Sequence, residues 1–282
     1  MHKRMCSIPF SYAVKRDLLR PLNGTANGEP DMAKSPLYSK DFFEAHRSGA
    51  RLSAEAIIPI VMELIRPTSV VDVGCGTGEF LEVFRKNGVA EILGIDGAYI
   101  DKSLLAVPQE HFLPLDITMP FTLGRTFDLA LCLEVAEHLA PQSASDFIES
   151  LSRLAPVILF SAAIPFQGGI HHINEQWPEY WAQLFRERGY LPVDALRKRV
   201  WSNCQIELWY RQNALFFCTE QALASNYILE REFRATHPGM LSVVHPEYYM
   251  LNHWALNYNT RLMIALQHVK NMTRKILLIE RA

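Results

Sequence analysis

The spacing of apolar residues changes period several times along the chain. Over residues 37–65 the positions Phe42, Phe43, Ala45, Ala54, Ile57, Ile58, Val61, Leu64 and Ile65 recur roughly at i, i+3, i+4 and i+7. That pattern predicts an amphipathic helix, which Pro67 ends. Residues 69–73 form a β-branched run of the kind buried in a parallel sheet covered on both faces. Residues 78–87 then predict a helix closed by Gly88. Further strands are predicted at 91–96, 111–115, 127–132 and 157–161, with helices at 143–154 and 177–188. Residues 205–210 and 214–218 are predicted as a closing antiparallel pair. Alternation of this kind predicts a doubly wound α/β fold with right-handed crossovers.

The flanks read differently. Residues 1–36 predict a loose leader, with turn chemistry from Asn23 to Pro30, and Met32 stands as an alternative start to Met1. Residues 37–220 form the α/β domain, and 221–282 a helical C-terminal extension. In the extension Leu251, Trp254, Tyr258, Leu262, Leu266, Val269 and Ile276 lie on or near one stripe of a helix over 248–279. Such a helix suits packing on the domain or pairing with a second copy in a homodimer. Docking on a membrane surface or another protein is the sharper alternative.

Charge narrows the range of functions. The chain has 28 basic and 30 acidic residues, a net charge of −2, which argues against a general nucleic-acid binder. Hydrophobic residues make up 49% and charged residues 21%, enough apolar mass to exclude wholesale disorder. No apolar run approaches the roughly 18–20 residues of a membrane span, and no secretory leader is evident. Cys6, Cys75, Cys132, Cys204 and Cys218 are odd in number and show no C-x-x-C spacing, so neither a zinc ribbon nor a disulfide framework is indicated. A cytoplasmic location follows as the expectation.

The chemistry concentrates after the first predicted strand, in Asp72-Val73-Gly74-Cys75-Gly76-Thr77-Gly78-Glu79. Glycines between a strand and a helix let a ligand approach the backbone. A dinucleotide fingerprint would place its third glycine where Glu79 stands, and a carboxylate facing a pyrophosphate would repel it. This disfavours a dinucleotide-dependent oxidoreductase. Asp96 ends the second strand, twenty residues beyond Gly76, where an acid can accept both ribose hydroxyls. Asp116 ends the third strand. The fourth leads into Phe127-Asp128-Leu129, followed by Glu134-Val135-Ala136-Glu137-His138-Leu139.

The D-x-G-x-G-x-G turn and the F-D-L-x-x-x-x-E-V-x-E-H-L run resemble class I S-adenosylmethionine-dependent methyltransferases, in particular a bacterial small-molecule and glycan subset. The resemblance covers about residues 69–140. It implies a mostly parallel seven-stranded Rossmann-like sheet with a helical N-terminal cover. It also implies that S-adenosylmethionine is the cofactor. Asp72, Gly74, Gly76, Gly78, Asp96, Asp116 and Glu134 would bind it, with Asp72 near its ammonium and Asp116 near its adenine.

The acceptor side falls to residues 161–181, a long loop after the fifth strand that should lie over the methyl donor. It carries Gln167, Gly168, Gly169, His171, His172, Asn174, Glu175, Trp177 and Tyr180, and its H-x-N-E-x-W-P-x-Y-W stretch resembles part of the same subset. Methyl transfer to a hydroxyl needs alignment, exclusion of water and a base. His138, His171 and His172 are the candidates. The expected reaction is O-methylation of a small polar acceptor such as a sugar or natural product.

Glu134, Glu137 and His138 also stand at i, i+3 and i+4. With His171 or His172 they resemble the metal site of small-RNA 3′-end 2′-O-methyltransferases, so a divalent metal, at Glu134, Glu137, His138 and His172 in the set chosen, is an alternative that is not favoured. RNA as the acceptor is disfavoured by the near-neutral charge. A non-catalytic partner protein built on the same fold is the remaining alternative.

Overall fold

The computed structural model describes residues 40–251. Helix α1 (Lys40–Leu64) buries Ala54, Ile57, Ile58, Val61 and Leu64 on one stripe. It is followed by β1 (Ser69–Val73), α2 (Glu79–Lys86), β2 (Glu91–Asp96), β3 (Phe112–Pro114) and β4 (Leu129–Leu133). Then come α3 (Ala144–Ser152), β5 (Val157–Ser161), α4 (Pro178–Arg186), β6 (Tyr190–Val193) and α5 (Arg197–Val200). Helix α6 (Leu208–Asn213), β7 (Leu215–Thr219), α7 (Glu220–Ser225) and α8 (Tyr227–Ala235) complete the set.

The seven strands form one sheet in the order β3-β2-β1-β4-β5-β7-β6. All pairings are parallel except those of β7, which runs antiparallel to β5 and β6. This is the doubly wound sheet the sequence predicts. One apolar layer gathers α1, α2 and the later helices on one face. The other gathers α3 and α4, where Phe185 stacks on Phe217 at 4.0 Å between ring centres and Phe160 meets Trp181. Each such buried side chain contributes about 1.5–3 kcal/mol. At the start of the sheet Asp128 accepts hydrogen bonds from the Thr68 N–H, the Thr68 hydroxyl and the Ser69 N–H. The Asp128 of the F-D-L run therefore anchors β1 to β4.

The closing pair needs correction. Residues 205–210 are not a strand; β7 pairs with Tyr190–Val193 instead. The alternation from Gln205 to Leu208 imitates a strand, but helix α6 buries Arg211, Gln212 and Asn213. Arg211 donates to both carboxylate oxygens of Glu247 at 3.1 and 2.9 Å. Tertiary contacts thus override the local pattern. The real strand is short and contains Pro192, which demotes a strand reading, yet it lies at the sheet edge, where a missing N–H is tolerated.

Residues beyond α6 are stitched back onto the domain. Asn226 donates to the Leu64 carbonyl and caps α8, and buried Arg197 donates to the Leu241 carbonyl at 2.7 Å. The predicted leader over 1–36 and all but the first residues of the predicted helix over 248–279 lie outside the described residues. Among the described residues no helix is long and apolar enough to cross a membrane.

Candidate active site

Strand β1 pairs with β2 on one side and β4 on the other, so the chain direction of winding switches there. In an open α/β sheet the ligand crevice lies outside the carboxyl ends of the strands at this point. The glycine turn leaves β1 there, and Glu134 leaves β4.

Gly74, Gly76 and Gly78 all have positive φ, at 77°, 54° and 82°. Gly74 also has no room for a side chain, because a Cβ would fall 2.3 Å from Val135 Cγ2. The Gly74 and Cys75 N–H groups donate to the Ile95 carbonyl, which fixes the turn against β2.

Two carboxylates converge under this turn. Asp96 Oδ2 accepts from the Gly76 N–H at 2.7 Å. Its Oδ1 accepts from the Gly97 N–H at 2.7 Å and the Tyr99 hydroxyl at 2.6 Å. Burial raises the Asp96 pKa, and these three bonds temper the rise. Asp72 is buried, and burial and then the neighbouring Asp96 push its pKa up to about 7. Such a site favours a ligand that brings a cation and hydroxyl donors, which an aminoacyl nucleoside does. The Tyr99 hydroxyl already stands on the carboxylate that the resemblance gives to the ribose. Asp116 is exposed and accepts from the Thr118 N–H and hydroxyl in a local turn.

Glu79 requires a correction. It does not face a ligand. Its side chain is 3% exposed and turns to α1, where Arg47 Nε donates at 2.6 Å and Arg51 at 3.3 Å. The argument from pyrophosphate repulsion therefore loses its geometry.

Across the crevice, Glu134 adopts a left-handed backbone at φ 55°, and its N–H donates to the Ser161 carbonyl at 2.9 Å. Its Oε2 accepts from Gln167 Nε2 at 2.8 Å, and its Oε1 from Asn213 Nδ2 at 3.1 Å. Asn213 Nδ2 also donates to Gln167 Oε1. Burial raises the Glu134 pKa despite these bonds.

Glu137, His138 and His172 come together, each offering a ligand atom within 4.8 Å of the others. Glu134 is absent from this group, so the predicted four-residue set is reduced to three. Glu137 is fully buried, and among the described residues neither of its carboxylate oxygens has a hydrogen-bond partner. The N–H groups of Glu137 and Ala163 temper the cost of burial without reaching hydrogen-bonding geometry. Burial and then Glu134 raise its pKa well above the carboxylate range. The His138 and His172 rings meet edge to face at 4.9 Å. Burial, then His172, push the His138 pKa down to about 4. An orphaned buried carboxylate beside two imidazoles is a donor set that fits a divalent cation.

The His171 backbone hydrogen-bonds His138, and its exposed side chain lies close enough to lower the His138 pKa slightly by charge repulsion. Sequence reasoning did not single out Gln167, Asn213, Tyr99 or Arg47 as site residues. Cys75 and Cys132 have thiol pKa values raised by burial, in keeping with packing roles. Trp181 and Phe185 are core residues, whereas Trp177 is exposed at the end of the acceptor loop.

The sheet order, the glycine turn and the acids at the switch point define a class I S-adenosylmethionine-dependent methyltransferase fold. The chain belongs to the methyltransferase domain family, which matches residues 43–203, more than half of its length. It is similar to the malonyl-[acyl-carrier protein] O-methyltransferase of Pseudescherichia vulneris, with 27% identity over 168 residues, 56% of this chain. The chain spans 62% of that relative's length. Among solved structures it is similar to the sugar N-methyltransferase KedS8 of Streptoalloteichus sp ATCC 53650. The identity there is 18%, over 71% of this chain and 96% of that one, with a TM-score of 0.48. The methyltransferase domain of bacterial CtHen1-CN gives 17% identity over 60% and 97% of the two chains and a TM-score of 0.42.

Proposed function

We propose that the protein transfers the methyl group of S-adenosylmethionine to a hydroxyl of a small polar acceptor, such as a sugar or a natural product. The observation that carries this reading is the His138–His172 pair, 4.9 Å apart in the segments that follow β4 and β5, on the same carboxyl-end side of the sheet as Asp72 and Asp96 at the ends of β1 and β2. The bound cofactor supplies an activated sulfonium methyl. Asp72 receives its ammonium, Asp96 its ribose hydroxyls, and the 74–78 turn the aminoacyl portion. Asp116 and Glu134 border the adenine and the reacting end. The loop over 162–177 excludes water, and His172 accepts the acceptor's proton, with His138 held neutral beside it. His171 has the weakest claim, since its side chain is exposed. The O-methyltransferase relative supports oxygen as the methylated atom. Cys75, Cys132 and Cys218 are free thiols, but Cys204 is disulfide-bonded, which corrects the expectation of no disulfide and removes the cysteines as support for a cytoplasmic location.

The test uses the full chain, S-adenosylmethionine and a panel of sugars and phenolic or polyol natural products, read by mass spectrometry. His172→Asn should lower turnover by about 10²–10⁴-fold. S-Adenosylhomocysteine affinity should remain unchanged. A wild-type chain that binds no S-adenosylhomocysteine would overturn the reading and favour a non-catalytic partner protein.

The orphaned oxygens of Glu137 favour one second reading, a metal-assisted reaction on a vicinal diol, including the 3′ end of RNA. Glu137, His138 and His172 would hold the cation, which lowers the pKa of the acceptor hydroxyl. Turnover abolished by chelation and restored by Mn²⁺ or Mg²⁺ would select it. Activity indifferent to chelators would remove it.

A further inference from the structure

The loop that carries His172 is tied down by a carboxylate outside the assigned site. Glu175 Oε2 accepts from the Phe166 N–H at 2.8 Å, and Oε1 accepts from the Gly168 N–H at 2.8 Å. The same Oε1 lies 3.0 Å from His172 Nδ1. Three groups spread over residues 166–172 thus converge on one side chain.

An ionised carboxylate only accepts hydrogen bonds, so the ring proton facing it sits on Nδ1. The His172 lone pair is then on Nε2. The backbone passes close over that nitrogen, because a Cβ at Gly169 would fall 2.2 Å from Nε2. His138 packs edge-on against the ring. Glu175, Gly169 and His138 therefore enclose the imidazole, and the orientation of its lone pair depends on one acceptor.

A surface loop needing no anchor would relax. This one does not. Phe166 and His171 hold left-handed backbones at φ 68° and 57°. Each such residue costs of order 1 kcal/mol or more. The clasp on Glu175 opposes this cost, beside the bonds that Gln167 makes to Glu134 and Asn213.

We infer that Glu175 is a positioning residue for methyl transfer, which holds His172 in the Nδ1–H tautomer and latches the strap of residues 166–169 over the ring. The inference rests on the proposed reaction for its catalytic meaning. In the metal-assisted reading the same tautomer presents Nε2 as the ligand, as histidine ligands do when a carboxylate takes the other ring proton.

The experiment follows ring ¹⁵N resonances of the full chain in alkaline, metal-free buffer, with His172 assigned by the signals lost in His172→Asn. The wild type should show the proton on Nδ1. Glu175→Leu, which removes every acceptor, should shift His172 toward the Nε2–H tautomer. Glu175→Gln keeps one carbonyl oxygen for three donors and should fall between. In Glu175→Leu kcat should drop about 10–100-fold, with the cofactor KM unchanged. S-Adenosylhomocysteine affinity should remain as in the wild type for both variants. A wild-type proton on Nε2 overturns the inference, as does a Glu175→Leu variant with wild-type tautomer and kcat. Loss of cofactor binding in both variants also overturns it, by making Glu175 a general support. The tautomer arm requires no acceptor. The expected tautomer shift in a chain inert toward every acceptor would count against methyl transfer and leave the clasp standing.

Discussion

Asp72 and Asp96 stand in the last two residues of β1 and β2, the floor of the proposed crevice, whereas Glu134 and Glu137 follow β4 and Glu175 follows β5, on its proposed far wall. Their partners differ in origin. Asp96 is satisfied by Gly76, Gly97 and Tyr99, all within or just beyond the β1–α2–β2 unit. Glu134 is satisfied by Gln167 and Asn213, from a loop and a helix far along the chain. The floor is a local device, preformed by the backbone of two neighbouring strands. The wall exists only once the whole sheet has closed. The floor should therefore govern cofactor affinity, and the wall turnover.

The strongest way to break this division is Asp96→Ala. It leaves the Gly76 and Gly97 donors unmatched and removes the ribose acceptor. Calorimetric titration should show S-adenosylhomocysteine affinity reduced by about 100-fold or more, about 2.7 kcal/mol. Gln167→Ala in the wall should leave that affinity within about twofold while turnover falls. Equal effects of the two changes on affinity would erase the distinction.

Gly74→Ala tests whether floor and wall touch mechanically. A left-handed alanine and the contact with Val135, the residue after Glu134, should together cost about 2–4 kcal/mol, read from denaturant unfolding. An unperturbed midpoint would show that the two turns move independently.

Acidity sharpens the comparison further. Asp72 has an ordinary pKa of 3.8 and is pushed up to about 7 in the folded chain. Between these values the folded state holds a proton that the unfolded state has lost, so this group's contribution to stability falls as pH rises through that window. A cofactor ammonium favours ionised Asp72. Binding should release a proton and tighten as pH rises toward about 7. Titrations in buffers of different ionisation enthalpy read that release directly, and its absence would place the ammonium elsewhere.

The mildest change is Tyr99→Phe. It frees Asp96 Oδ1 from an internal hydroxyl, so cofactor affinity should rise a few-fold, by roughly 0.5–1.5 kcal/mol. Weaker binding would mean that Tyr99 itself contacts the nucleoside.

How much of this could be read from the chain alone follows the same division. The order of strands from 69 to 161 and the roles of Gly74 and Gly78 as positive-φ positions were legible, because each rests on residues adjacent in sequence. The antiparallel pair was misassigned because residues 205–210 alternate like a strand while α6 is held by Glu247, 36 residues beyond Arg211. Glu79 was assigned to a ligand face because nothing local reveals Arg47 and Arg51 on another helix. Gln167 and Asn213 carry no spacing signal at all. The spacing of Glu137 and His138 pointed to the cluster they form with His172, and His172 and Glu175, three residues apart, left a trace that could have suggested a pair.

The sheet's two outer strands share a feature with consequences for assembly. β3 ends in Pro114, and β6 carries Pro192 in its interior. Neither rim offers an unbroken row of backbone donors, and β3 is only three residues long. Strand addition by a neighbouring molecule is disfavoured at both ends, the usual protection against edge-to-edge aggregation. Among the described residues, the rims of the seven-stranded sheet thus favour a sheet that gains no eighth strand from a second copy.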